Sequence, residues 1–406
     1  MMMKWWTIGK TKKMIKYAVG LLLLSIFLIF LRYWNNIDKV EIVSQQAHSF
    51  DRAVVTDITK DNLQENGSRI GNQEVKVKFL DGKHKGEVTS AVSTNGSLYG
   101  ATCHVGMKVI TLTSESGQVS ITSVYSFDRE WIILSFFALF CVLLWVVGNK
   151  TGLKSVTGLI LTIVLIIYFF MPAIYRGMSP ILAAVIVVFI TTVITILLLG
   201  GQSIKSISAI LGTVFGVMIS GLAAWGFGKV ALISGYNVSN IDTLVGIRQV
   251  TNISVGELLF AGILISSLGG AMDIALSIAS AIQEIHQANP ELPRRKLYMS
   301  GMNVGRDMMG ATANTLIIAF VGGSLSTLVI NYSYNLPYLQ MINSYSIGIE
   351  VMQGISGGIG IVMTLPLVSL VSSFMIYGQK KKGDTMDKSD IEEAMVSKSL
   401  ADPQIL

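Results

Sequence analysis

The chain has 406 residues, of which 51% are hydrophobic and only 14% are charged, and its mean hydropathy is +0.59. This composition excludes an ordinary soluble enzyme and predicts a multi-pass membrane protein. The net charge of +6 does not predict nucleic-acid binding, because the Lys and Arg residues lie mostly at the ends of hydrophobic runs, where they set membrane topology.

The N-terminal region, residues 1–34, predicts an anchor helix. A lysine-rich segment is followed by the apolar run from Tyr17 to Trp34. A basic flank before an apolar run is also typical of a signal peptide, but no small-residue cleavage site follows. The pattern therefore favours an uncleaved anchor with the N-terminus inside.

Residues 35–128 form the one sizeable polar segment and predict a small all-β domain outside the membrane. Val75, Val77 and Phe79 alternate with lysines, and Asp81-Gly82 marks a turn before the next strand. We expect the strands at 53–58, 75–79, 86–92, 108–113 and 118–124. The adjacent Cys103 and His104, with His48 and His84, offer soft-metal ligands. No spacing typical of a zinc site supports them, so no metal is assigned.

Residues 129–378 predict seven further membrane spans, which with the anchor make about eight, followed by a disordered cytoplasmic tail at 379–406. We expect the spans at 131–147, 156–171, 181–199, 207–227, 255–285, 309–330 and 350–377. The basic residues concentrate in alternate loops, which places both termini in the cytoplasm and residues 35–128 outside. The predicted inner loops hold Lys150, Lys154, Lys205, Arg294, Arg295, Lys296, Arg306 and Lys380 to Lys382.

Two polar stripes lie on consecutive helical segments, which are joined by a polar turn with Pro290 and Pro293. On the sixth span, Ser266, Asp273, Ser277, Ser280 and Glu284 recur at helical spacing. A carboxylate in the middle of the bilayer costs about 2.5 to 3.5 kcal/mol, so Asp273 requires a partner or a water-filled cavity.

The second stripe begins just before the seventh span and continues into it. It consists of Asn303, Asp307, Gly310 and Asn314. We expect the two stripes to face each other and to form an oxygen-rich site. Its candidate binding residues are Asp273, Ser277, Asn303, Asp307 and Asn314. The competing interpretation is a structural pair, in which Asp273 is hydrogen-bonded to Asn303 or Asn314.

Small residues predict close helix packing. The fifth and sixth spans each carry small side chains four residues apart, which let another backbone approach closely. The candidate packing residues are Gly212, Gly216, Ser220, Gly262, Ser266 and Gly270. In the eighth span, four glycines between Gly354 and Gly360 precede Pro366, which predicts either a broken helix that lines a transport site or simply tight packing.

Three stretches carry a resemblance to a known family. They read GGAMDIALSIASAIQEI, SGMNVGRDMMGATANTLIIAF and IEVMQGISGGIGIVMTLPL, and they resemble the bacterial YibE/F-like family of multi-pass membrane proteins. The outer hairpin VKVKFLDGKHKGE is similar to the longer form of that family. The resemblance implies a location in the bacterial plasma membrane and an adjacent paralogue without the outer domain, and thus a heteromeric partner. It supplies no catalytic residue.

The sequence leaves several function classes open. The first is a transporter or permease for a small ion or solute, with Asp273 as the protonatable or cation-binding group. The second is a non-transporting envelope protein whose outer β domain binds a partner. The third, an intramembrane aspartyl protease with Asp273 and Asp307 as a dyad, fits less well, because the two carboxylates are expected at different depths. We predict no cofactor and no nucleic-acid partner; a homo-oligomer is the alternative to the paralogue.

Overall fold

A computed structural model describes residues 25, 27, 29–37, 48–65, 68–94, 99–116, 119–238 and 241–401, with side chains up to Tyr377. Most of the predicted anchor lies outside the described residues. The chain divides into two compact units, Lys39–Val147 and a second formed by Met1–Asp38 with Gly148–Leu406.

The first unit contains a closed five-stranded β-barrel with the strand order β1-β2-β3-β5-β4. Its strands are β1 (His48–Lys60), β2 (Gln73–Phe79), β3 (Val88–Ser93), β4 (Lys108–Ser116) and β5 (Val119–Phe127). All neighbouring pairs are antiparallel except β3 and β5, which are parallel. This is the topology of the OB-fold barrel. The prediction of a small β domain is confirmed.

The alternation read from the sequence decides which side chains fill the barrel. Val75, Val77 and Phe79 of β2 are buried, whereas the residues between them are exposed, because successive strand residues point to opposite faces. After β2 the chain turns at Gly82, where φ is 76° and an added Cβ would collide with the side chain of Asp51. Only glycine suits this conformation at this close approach.

The barrel is tied to the helix that follows it. Arg52 of β1 forms ion pairs with Asp128 at 3.6 Å and with Asp81 at 3.7 Å, and its guanidinium also contacts Glu130. Glu130 is the first residue of helix α2, Glu130–Leu165. One arginine thus connects the barrel wall, the β2–β3 turn and the start of α2.

The remaining elements are helical. The described part of α1 covers residues 29–34. A π-helical stretch, Ile166–Phe170, follows α2. The other helices are α3 (Met171–Tyr175), α4 (Pro180–Gly200), α5 (Ile204–Val230), α6 (Ile241–Val250), α7 (Val255–Ala288), α8 (Arg294–Gly323), α9 (Leu325–Ser333), α10 (Tyr338–Ile342) and α11 (Tyr345–Ala401). The polar loop expected between the second and third spans is absent, and α2 instead bends at Asn149, with φ 50° and ψ −129°.

Helix α7 is the centre of the membrane unit. Helices α4, α5, α11 and α8 pack around it as an arc in which α4 touches α5, α5 touches α11 and α11 touches α8. Within the described residues α8 does not pack against α4, so one side of α7 stays uncovered. The covered side carries the largest fully buried side chains of the helix, Ile263, Ile274, Ile278 and Ile282.

The end of α1 is fixed to the same unit through Trp34. Its indole stacks on Phe169 with 5.8 Å between ring centroids and donates a hydrogen bond to the Phe169 carbonyl at 3.3 Å. Arg176 lies over the indole ring, with its Cζ 4.5 Å from the centroid, and donates to the carbonyl of Trp34 at 3.0 Å. A cation here also interacts favourably with the carboxyl end of α1.

Among the described residues, five helical stretches are long and apolar enough to cross a membrane, and six if α8 and α9 count as one bent span. The chain is therefore a membrane protein. One of the five, Glu130–Tyr175, has 46 residues, which is enough for about 69 Å of helix, whereas a hydrocarbon core is about 30 Å thick.

Of the two interpretations of the eighth span, the structure agrees with tight packing and not with a broken helix. α11 continues without interruption through Gly354 to Gly360 and past Pro366. A bend occurs instead between α8 and α9, by 57° at Ser324, directly after Gly322 and Gly323. α11 also extends to Ala401 and so includes most of the tail for which we expected disorder; this stretch contains no proline, and Pro403 follows it.

Candidate functional site

The polar stripe of α7 lies on the uncovered side of the helix. Gly262, Gly269 and Asp273 are exposed, and Ser266 and Ser277 are half-buried. These residues are three or four positions apart, so they form one face. Because α4, α5, α8 and α11 occupy the other sides, the stripe forms the floor of the opening between α8 and α4.

Asp273 lies near the middle of the 34-residue helix α7. Among the described residues it makes no ion pair and no hydrogen bond, and the same holds for Ser277. Gly269, one turn before Asp273, leaves space on this face of the helix, because a Cβ added there would meet nothing within 4 Å. A carboxylate next to hydroxyl groups, with open space around it, suits reversible binding of a proton or a cation.

The stripe of α8 does not face the stripe of α7. Gly301 and Gly305 are the α8 residues that approach Ile282 and Ile278 of α7. The polar residues lie on the exposed side, away from this contact; they are Asn303, Asp307, Gly310 and Asn314. The expectation of facing stripes is therefore wrong. The physical reason is that glycines, which have no side chain, let α8 approach α7 closely and turn the polar residues to the opposite side.

The proposed structural pair is also absent. Asn303 accepts a hydrogen bond from Arg306 on its own helix at 3.4 Å, and in the described part of the chain neither Asn303 nor Asn314 is bonded to Asp273. Asp307 lies on the side of α8 that faces away from α7. It is therefore not close to Asp273, as a pair of aspartates that share one proton would have to be. Asp273 thus has no hydrogen-bonding or charged partner among the described residues.

The predicted packing residues fall into two groups. Gly212, Gly216 and Ser220 are buried against α11, where a Cβ added at Gly216 would collide with Thr364 and crowd the carbonyl of Gly360. Gly270 approaches Ile361 of α11. Gly262 and Ser266 belong instead to the stripe of α7 that the described helices leave uncovered.

The candidate metal ligands of the barrel are dispersed. Cys103 is fully buried, and its backbone N–H donates to Gln73 at 2.8 Å; burial raises the pKa of its thiol. His104 is exposed. His48 bonds to Ser114, and His84 bonds to Glu87 and Glu115. In the described residues no group of three such side chains is placed to hold a metal ion.

One polar contact of the membrane unit was missed by the sequence analysis. The hydroxyl of Ser179, which caps the start of α4, donates to the carboxylate of Glu257 in the first turn of α7. An acidic residue in the first turn is favoured by the helix dipole. The position of Glu257 three residues after Ser254, at the start of an apolar run, is a typical signal of such an N-terminus.

Comparison with known proteins identifies the membrane unit. A model of the YibE/F-like protein family matches residues 136–378, which is more than half of the chain. The chain belongs to the YibE/F-like family. No curated protein and no solved structure matched it.

The family match covers most of α2 and all helices up to the end of the apolar part of α11. The uncovered stripe with Asp273 lies inside it. The barrel lies before it, so in this YibE/F-like protein the barrel is an addition to the matched region, and its role has to be argued from its own surface.

Proposed function

We propose that this protein is a transporter or permease for a small ion or solute, and that Asp273 binds the transported proton or cation or a coupling ion. The observation that supports the proposal is a carboxylate in the middle of an apolar helix, unpaired among the described residues and on a side of α7 that none of the described helices covers. Such intramembrane carboxylates are costly, and they typically mark ion pathways.

The proposed topology has eight membrane spans. The 46-residue stretch Glu130–Tyr175 supplies two of them, separated at Asn149, and α8 with α9 forms a single bent span. The positive-inside rule then places both termini in the cytoplasm of a bacterial cell and the barrel outside the plasma membrane. Asp273, about half-way along α7, would lie near the bilayer midplane, where the coupling-ion sites of transporters are commonly found.

The uncovered side of α7 also supports an oligomer. A carboxylate exposed there would meet lipid in an isolated subunit, at a cost of about 2.5 to 3.5 kcal/mol. A second copy of the chain, or a paralogous membrane protein, would enclose the opening between α8 and α4 and keep Asp273 in contact with water. The small side chains at Gly262 and Ser266 suit such close contact.

The test is flux in proteoliposomes over a panel of protons and mono- and divalent cations. We expect the wild-type protein to transport at least one of them and Asp273→Asn to lose that flux by at least tenfold, because the amide cannot carry the negative charge. The matched control is Asp307→Asn, which makes the same change on the exposed far side of α8 and should keep the flux.

Absence of flux for every cation in the wild type, or equal loss in both variants, would contradict the assignment of Asp273. Both variants must elute as folded protein from the same detergent before reconstitution. This requirement separates a transport defect from a folding defect.

A second candidate function is that of an envelope protein whose barrel binds a partner. Its support is an aromatic cluster on the barrel surface, formed by Phe50, Tyr99 and Tyr125. The ring centroids of Phe50 and Tyr125 are 5.2 Å apart, and those of Tyr99 and Tyr125 are 5.5 Å apart. Phe50 and Tyr99 are 59% and 58% exposed. Exposed aromatic clusters of this kind are typical of binding surfaces.

Replacing the three cluster residues by alanine separates the two functions. If partner binding is the function, the triple variant should abolish it in cells while the purified protein stays folded. If transport is the function and does not depend on the barrel, flux in proteoliposomes should persist in this variant and in a chain that lacks residues 35–128. Alanine at the exposed Ile121, also on β5 but outside the cluster, is the matched control.

A further inference from the structure

A cavity of about 510 Å³ opens where the start of α8 meets the end of the apolar part of α11. It is lined by Arg294, Arg295, Tyr298, Leu370, Ser373 and Tyr377. The apolar stretch of α11 ends at Tyr377, so the cavity lies at the level where a membrane span passes into the headgroup region. Its volume is in the range of small-molecule sites.

The charge of this cavity is one-sided. Among the described residues, two arginines line it and no carboxylate does. Neither arginine forms an ion pair with an acidic side chain in the described part of the chain. The guanidinium of Arg294 lies over the ring of Phe374, with its Cζ 3.6 Å from the centroid. This contact uses the flat face of the guanidinium and leaves the N–H groups at its edge free to donate.

The remaining lining residues match an amphipathic ligand. Tyr298 and Tyr377 bring phenolic hydroxyls, which can donate to an anion. Beside the cavity, Leu370 and Phe374 are 46% and 48% exposed on the outer side of α11, where an acyl chain could lie along the span. The guanidinium group of arginine is well suited to bind a phosphate through two parallel hydrogen bonds.

We infer that this cavity binds the phosphate of an anionic phospholipid, with the acyl chains along Leu370 and Phe374. Basic pockets between membrane helices are known to hold such headgroups. In the sequence, Arg294, Arg295 and Lys296 indicate only the topology of the membrane spans. A further signal is Tyr298, which places a hydroxyl one turn after the first arginine.

The experiment measures phospholipid binding to the full chain in detergent by native mass spectrometry, with phosphatidylglycerol and phosphatidylcholine compared at equal concentration. We expect phosphatidylglycerol to bind more tightly. Removal of one arginine should weaken its binding about fivefold, and Arg294→Gln with Arg295→Gln about thirtyfold. Lys296→Gln, which removes a charge in the same helical turn but does not line the cavity, should change the affinity less than twofold.

Three results would overturn the inference. The first is equal binding of the two lipids, and the second is an equal loss of affinity for phosphatidylglycerol in Lys296→Gln and in the double variant. The third is displacement of phosphatidylglycerol by inorganic phosphate at matched concentration, which would indicate a site for free phosphate. If the double variant does not fold, the variant Arg294→Lys with Arg295→Lys is measured in its place. It keeps both positive charges but cannot form the two parallel hydrogen bonds of a guanidinium. It should still prefer phosphatidylglycerol clearly, with a severalfold lower affinity.

Discussion

His84 lies between two carboxylates on the barrel surface. Its Nδ1 is 2.9 Å from Glu87 and its Nε2 is 3.1 Å from Glu115. Both contacts are hydrogen bonds at once only when the imidazole carries two protons. Hydrogen bonds to Glu115 and Glu87 accordingly raise the pKa of His84, and the bond from His84 lowers the pKa of Glu115. The contact joins the β2–β3 turn to the end of β4.

This contact predicts a pH window for barrel stability. Because the pKa of His84 is raised in the folded state, its contribution is present below its ordinary pKa of about 6.5 and is lost as the pH rises through the raised value. Because the pKa of Glu115 is lowered, its contribution is present above about 4.5 and is lost as the pH falls through the lowered value. The contact therefore contributes most between these two values.

The measurement is the unfolding midpoint of the barrel across this pH range, in the wild type and in His84→Gln. We expect the two proteins to differ most between about pH 4.5 and 6.5 and to converge at higher pH. A pH-independent difference would show that His84 acts only through packing, for example against Phe79. His48→Gln is the control, since His48 bonds to a serine and to no carboxylate.

At the same scale, Asp273 shows what the sequence could and could not predict. Its importance followed from chemistry alone, because a charge inside an apolar run is costly wherever the fold places it. Its partners did not follow. Helical spacing defines which residues share a face, but the direction of that face depends on which neighbours approach, and here glycines at 301 and 305 brought α8 to α7.

At the scale of elements, the contact between α5 and α11 depends on glycine. Backbone-to-backbone approach at Gly216 leaves no space for a side chain next to Thr364 and the Gly360 carbonyl. We expect Gly216→Leu to destabilise the membrane unit by about 1 to 3 kcal/mol or more, as overpacking does. Gly226→Leu, on the same helix with nothing within 4 Å of its Cβ position, should have little effect. Thermal unfolding in detergent measures both; similar midpoints would contradict the close-contact role.

The helices themselves could be located from hydropathy, because each apolar run must form its backbone hydrogen bonds within the segment. The positions at which a helix is broken could not be predicted from the sequence. Four glycines and Pro366 in α11 left a broken helix and tight packing open as alternatives, and the structure shows α8 and α5 packed against Gly357 and Gly360 of a continuous helix. Gly322 and Gly323 have nothing within 4 Å of their Cβ positions, and there the chain bends.

At the scale of the whole molecule, the division into a polar and an apolar part was predictable from composition, and the five strands from their alternation. The strand order was not. β3 pairs with β5, which follows β4 along the chain, and such a non-local pairing leaves no mark in either strand. Likewise, the arc of helices around α7 depends on many contacts between distant residues, of which the glycine pattern showed only the α5 side.

Two units with separate cores predict two unfolding transitions for the full chain. Phe79 is buried among barrel residues only, in a cluster that shares no member with the core of the helical unit. Phe79→Ala should therefore lower the free energy of unfolding of the barrel by about 3 to 5 kcal/mol, the usual cost of such a truncation. The transition of the helical unit should stay unchanged. Calorimetry of the full chain in detergent measures both.

Ile121→Ala, which removes a side chain that is 64% exposed, is the control. A single transition that shifts as a whole would show that the two units unfold cooperatively, through the α2 segment that Arg52 ties to the barrel.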